Sequence, residues 1–167
     1  MLGPARLGQL TALLAALALA GCAELAADPA EPGERTTARV TKHTDGDTLW
    51  LSGIGKVRLI GVDTPEVYGG VECYGREASG FVERTVPLGS EVGYRLGVDE
   101  RDRYGRALAY VWLHDGRFLN RLLVARGYAQ PLTVPPNVDY EDTFVRAAGR
   151  AREAGRGLWG RRGCSGK

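Results

Sequence analysis

The chain has 167 residues, 22 of them basic and 20 acidic, for a formal net charge of +2. That length accommodates one domain around one core and excludes a two-domain enzyme. Nearly balanced charge also excludes capture of a polyanion by a global field, so any nucleic-acid partner must be held by local clusters.

The folded domain begins late in the chain. Residues 1–21 carry Arg6 and then an apolar stretch over residues 10–20, about half the length that a membrane-spanning helix needs. This is the pattern of a signal peptide, and it implies export. Its end, Leu19-Ala20-Gly21-Cys22, resembles the bacterial lipoprotein processing site, which implies cleavage before Cys22 and acylation of that residue. The alternative is ordinary cleavage near the A-L-A triplet at residues 18–20, which leaves Cys22 a free thiol. Either way only Arg6 is lost, and 21 basic residues face 20 acidic ones.

Residues 22–37 are rich in Ala, Glu and Pro without an apolar period, the composition of a flexible tether. Extended, they would hold the domain roughly 50 Å from an anchor. Residues 38–160 carry the domain, and 161–167 a C-terminal tail. Strands are predicted over 39–43 and 48–51, joined by the turn signal Asp45-Gly46. A third is predicted over 56–62, with Val57, Leu59 and Gly61 on one face and Arg58 and Ile60 on the other.

Residues 75–86 have helical spacing, with Ala78, Phe81, Val82 and Val86 on one side. Alternation returns over 91–98 and 107–113, and Asp115-Gly116 signals a second turn. A helix over 118–126 turns Leu119, Leu122 and Leu123 inward and ends at Gly127. Three prolines make 131–137 a loop. The last helix, over 140–153, stops near Gly155, and Leu158-Trp159 is expected to pack back on the body. This order fits an α+β class, a five-stranded oligonucleotide-binding (OB-fold) β-barrel with three α-helices.

Three cysteines leave one unpaired in an exported protein unless something else consumes it. Lipidation of Cys22 would do so, leaving Cys73 and Cys164 for a disulfide in an oxidising compartment. Two unpaired thiols are the other reading.

The densest chemistry lies in V-R-L-I-G-V-D-T-P-E, which holds Arg58, Asp63, Thr64 and Glu66. Asp47 precedes it in D-G-D-T, and Arg106 follows in R-Y-G-R. Asp47 beginning one strand and Asp63 ending another could meet at one barrel rim, where two carboxylates suit a hard divalent cation. Pro65 holds Thr64 extended, so the Thr64 carbonyl could add a third oxygen. An all-oxygen set fits calcium better than zinc, and neither His43 nor His114 has ligand spacing. Glu66 stands where it could orient or deprotonate a water. Arg58 and Arg106 offer forked donors to phosphoryl oxygens. Together these groups suit phosphodiester hydrolysis.

Five motifs in order, D-G-D-T, V-R-L-I-G-V-D-T-P-E, Y-G-R-E-A, R-D-R-Y-G-R-A-L-A-Y and the closing G-L-W, resemble those of the staphylococcal nuclease (thermonuclease) family. The likeness runs from about residue 39 to residue 159, nearly the whole domain. It implies a calcium-dependent endonuclease that acts on DNA and RNA and leaves 3'-phosphate ends. By position it makes Asp47 and Asp63 carboxylate ligands of Ca2+ and Thr64 the carbonyl ligand. Glu66 becomes the water-positioning or general-base residue, and Arg58 and Arg106 bind the scissile phosphate. Arg103 and Tyr104 match the pair that holds a terminal phosphate. One departure stands out: where the type member presents two tyrosines to a base, this chain has L-T-V-P-P at residues 132–136, with Tyr128 and Tyr140 as nearby substitutes or core residues.

The resulting expectation is a monomeric nuclease, anchored to the bacterial cell envelope through Cys22 or released outside the cell. Its rival is a catalytically idle OB-fold nucleic-acid-binding lipoprotein. Intact Glu66, Arg58 and Arg106 favour the enzyme, because simple binding needs no acid beside a phosphate.

Overall fold

A computed structural model describes residues 34–160 together with Cys164. The expected signal peptide, Cys22, the tether as far as residue 33 and the rest of the tail lie outside the described residues.

Five strands close into a barrel: β1 (Thr36–His43), β2 (Thr48–Leu51), β3 (Gly55–Leu59), β5 (Glu91–Arg101) and β6 (Ala107–Leu113), in the order β1-β2-β3-β6-β5. All contacts are antiparallel except β3 with β6, which run parallel with Arg58 opposite Leu108. β1 starts within the segment read as tether, because Thr36 and Thr37 pair with Tyr94 and Gly93 of β5. Alternation explains most of the strands; Ala38 and Val40 of β1 point inward while their neighbours face water. β6 is buried on almost every residue, since the barrel interior takes one face and a helix covers the other.

The strand predicted over 56–62 is two strands. After Leu59 the chain breaks at Gly61, whose φ of 78° is a left-handed conformation that a side chain disfavours. The Phe144 ring occupies the space a Cβ would need there. The redirected segment, β4 (Gly61–Asp63), leaves the barrel and pairs with β7 (Gln130–Leu132) in a two-stranded sheet. β7 lies inside the expected proline loop. Pro131 is tolerated because this small sheet has only two strands, so a proline without an N–H always lies at an edge.

Three helices pack around the barrel: α1 (Gly75–Thr85), α2 (Leu119–Ala125) and α3 (Glu141–Glu153). α1 buries Ala78 and Val82, while α2 buries Leu119, Leu123 and Val124. On α3, Ala147, Ala148 and Ala151 are small enough to bring the helix close to its neighbours. Glu141 and Asp142 in its first turn and Arg150 and Arg152 in its last both suit the helix dipole. Phe118 stacks on Trp112 with centroids 4.8 Å apart, and Tyr140 meets Tyr110 edge-on at 4.6 Å. Tyr140 is therefore a core residue. Leu158 is buried in a final 3-10 turn, Gly157–Trp159, as its sequence position suggested. Cys73 and Cys164 are joined in a disulfide with Cα atoms 5.8 Å apart. Closing a loop of 91 residues stabilises the fold by about 4–5 kcal/mol at most in the chain-entropy picture.

Candidate active site

Asp47 ends the turn between β1 and β2 and is only 2% exposed. A buried carboxylate needs donors, and it has them. Its Oδ2 accepts the Thr64 N–H at 2.8 Å and the Thr64 hydroxyl at 3.0 Å, and its Oδ1 accepts the Thr48 hydroxyl at 3.1 Å. Gly46 makes this approach possible, because a Cβ there would meet the Thr64 side chain at 2.9 Å.

Arg58 joins the site from β3, where it pairs in register with Thr48. Its Nη1 forms an ion pair with Asp47 Oδ1, and its Nη2 donates to Asp63 Oδ1 at 2.7 Å. One guanidinium thus bridges the two carboxylates. Asp47, Arg58, Asp63 and Thr64 are brought together, with the Thr64 N–H and hydroxyl rather than its carbonyl turned to Asp47. Half-buried Asp45 accepts the Asp47 N–H at 3.1 Å. Burial pushes the Asp45 carboxyl above its ordinary 3.8, against the hydrogen bond from Thr48 and the charge of Arg58.

Glu66 is exposed, two positions beyond Thr64, and its backbone is fastened to Glu72. Arg106 precedes β6 and lies two residues before Leu108, the register partner of Arg58, so both arginines belong to the same face of the parallel pair. Its Nε donates to Asp102 Oδ2 at 2.6 Å. Exposed Arg103 donates to the Tyr104 hydroxyl at 2.6 Å, and both Arg103 and Arg106 lie over the Tyr104 ring, at 4.8 and 5.5 Å. The result is a basic and aromatic patch built on Tyr104. Tyr128 is committed elsewhere, stacked between Phe81 at 4.4 Å and Tyr74 at 5.6 Å.

Sequence reasoning did not single out three residues that hold the backbone or side chains around the site. Asp102 accepts hydrogen bonds from the Arg106 N–H, the Tyr104 N–H and the Arg106 guanidinium. Asn120, fully buried, accepts from Val111 N–H at 3.0 Å and donates to the Ile60 carbonyl at 2.8 Å, bracing the point where β3 gives way to β4. Glu72 holds Glu66. Only Asn120 left a sequence signal, as an amide between apolar residues on an inward helix face.

The donor set suits an oxygen-seeking divalent cation. Two carboxylates close enough to share one guanidinium can share one metal ion, and the bridging guanidinium already sets positive charge between them. Among the described residues no three His, Cys, Asp or Glu side chains converge, so carbonyl, water or phosphate oxygens would complete such a shell.

A closed five-stranded barrel with two carboxylates bridged by an arginine at one rim has the kinds of group that a phosphodiester hydrolase uses. The family described as "Staphylococcal nuclease homologue" matches residues 56–161, a span that begins downstream of Asp47. Thermonuclease of Staphylococcus hyicus is 37% identical over 129 residues, covering 74% of this chain and 75% of its own length. Thermonuclease of Staphylococcus intermedius is 37% identical over 128 residues, 73% of this chain and 75% of the relative. Endonuclease YhcR of Bacillus subtilis (strain 168) is 30% identical over 150 residues, 81% of this chain but 12% of that much longer protein. The chain belongs to the staphylococcal nuclease family, and it is a nuclease, a phosphodiester hydrolase. The idle binding module gives way to the enzyme.

Proposed function

We propose that the protein is a calcium-dependent endonuclease that cleaves DNA and RNA and leaves 3'-phosphate ends. The observation that carries this reading is the single guanidinium of Arg58 shared by Asp47 and Asp63, with exposed Glu66 two residues beyond Thr64. The Asp47 and Asp63 carboxylates and the Thr64 carbonyl would hold calcium, which would supply charge neutralisation and orientation at the phosphate. Glu66 takes the proton of the attacking water. Arg58, shared here by two carboxylates, offers a forked donor to the phosphoryl oxygens. Arg106 adds a second fork, and each such donor can be worth about 3–4 kcal/mol in the transition state. Arg103 and Tyr104 receive a neighbouring phosphate. With L-T-V-P-P in place of two tyrosines, grip on the substrate comes from phosphate contacts more than from base stacking.

We also propose that the enzyme works outside the cytoplasm as a monomer, acylated on Cys22 and tethered to the cell envelope. The Cys73–Cys164 disulfide supports this by leaving Cys22 as the odd cysteine and by requiring an oxidising compartment.

Incubating the purified domain with plasmid DNA and with RNA, in calcium, magnesium or chelator, tests the catalytic reading. Cleavage of both polymers is expected with calcium, none with chelator and little with magnesium. Equal rates with the two metals would overturn the metal preference, and binding without cleavage would overturn the activity.

A further inference from the structure

Glu66 lies at the mouth of a loop that closes on itself. Its backbone N–H donates to Oε2 of Glu72 at 3.0 Å, and its carbonyl accepts the Glu72 N–H at 2.9 Å. One residue therefore holds both backbone polar groups of Glu66. The Glu66 carbonyl also lies against Gly75, where a Cβ would come within 2.6 Å of it, so α1 starts flush with the loop.

The closing side of the loop is fixed at three successive positions. Glu72 makes the contacts to Glu66. Cys73 is bonded to Cys164. Tyr74 holds a φ of 72°, a costly left-handed conformation for a residue with a side chain, while its ring stacks on Tyr128 at 5.6 Å. At the tip Gly69 and Gly70 both have positive φ, and Tyr68 and Val71 are exposed. Restraint is concentrated directly behind the contact to Glu66.

We propose that Glu72 is a positioning residue for Glu66 and that the Cys73–Cys164 disulfide braces it, so that turnover depends on the oxidation state of the two cysteines. This rests on the reading of Glu66 as the residue that activates water. Breaking the S–S bond frees Cys73, and Glu72 then shifts relative to the barrel and carries Glu66 with it. In that step both sulfurs become thiols by taking two electrons and two protons from a dithiol reductant, which is itself oxidised to a disulfide. Displacements of about 1 Å at a reacting group can cost up to roughly a hundredfold in rate, so a loosened loop is enough to be measured.

The test compares kcat and KM of the oxidised full chain, the chain reduced with dithiothreitol, and the variants Glu72→Ala, Glu72→Gln and Glu66→Gln, at a temperature well below unfolding and with circular dichroism on each sample. Reduction and Glu72→Ala should each lower kcat about tenfold with KM held within about twofold. Glu72→Gln keeps an oxygen that accepts the Glu66 N–H and should stay within about threefold of the parent. A folded Glu72→Ala protein with parental kcat overturns the positioning role. A reduced protein that is folded and fully active overturns the brace, as does one that unfolds, since a local support leaves the barrel standing. If Glu66→Gln itself turns over normally, the reading of Glu66 fails and this proposal falls with it; loss in Glu66→Gln beside a normal Glu72→Ala sinks the positioning role alone.

Discussion

Asp102 shows how much of an arginine's behaviour is decided by its neighbour. Burial pulls its carboxyl upward, but the hydrogen bonds from Arg106 and Tyr104 outweigh this and leave it below its ordinary 3.8. A depressed carboxylate contributes stability that is complete above its unfolded pKa and is lost only as pH falls through the folded value. The Asp102–Arg106 contact is therefore intact at neutral pH and is withdrawn only below 3.8. Replacing Asp102 with Ala should lower kcat/KM about tenfold by releasing the Arg106 side chain. Because Asp102 does not titrate there, the deficit should be constant between about pH 6 and pH 9; a pH–rate series in which the deficit changes across that range would tie Asp102 to proton transfer instead. At this scale Arg58, Asp63, Thr64 and Glu66 were legible because they sit in one short run. Asp102 and Glu72 were not, since their roles arise from where two loops place a carboxylate against a backbone N–H.

Among the elements, the strands and helices were legible wherever hydrophobic period and turn chemistry agreed. They failed at Gly61. Val57, Leu59 and Val62 read as one apolar strand, and only the approach of Phe144 from α3, far along the chain, shows why the backbone must turn there. β7 escaped for a related reason: Pro131 argues for a loop until a partner strand is known to exist. Asn120 ties these pieces together, linking α2 to β6 and to the carbonyl at the end of β3. Replacing it with Leu would strand the Val111 N–H and the Ile60 carbonyl in the core. Denaturant unfolding should then report a loss of about 2–4 kcal/mol, whereas a loss under about 1 kcal/mol would mean that the break is held by packing alone. Since β4 carries Asp63, the same variant should also lower turnover.

For the whole molecule, modest net charge leaves substrate capture to local groups, and the proposed site draws them from one rim, where Arg58 bridges Asp47 and Asp63. That rim was half legible in the sequence. D-G-D-T and the longer run proclaim their residue types, but their convergence on one guanidinium depends on barrel closure, which no local pattern encodes. The anchoring reading makes its own prediction: in cells, changing Cys22 to Ser should move nuclease activity from the membrane fraction to the soluble exported fraction, and activity that stays with the membrane would remove the lipid anchor from the account.

The most direct measurement is turnover of Glu66→Gln on DNA at saturating calcium, with binding measured on the same preparation. A carboxylate that takes the proton of the attacking water cannot be replaced by an amide, so kcat should drop at least about a hundredfold while affinity for DNA is nearly kept. Turnover within about threefold of the parent would contradict the account, because the acid beside the phosphate would then have no part in breaking the bond.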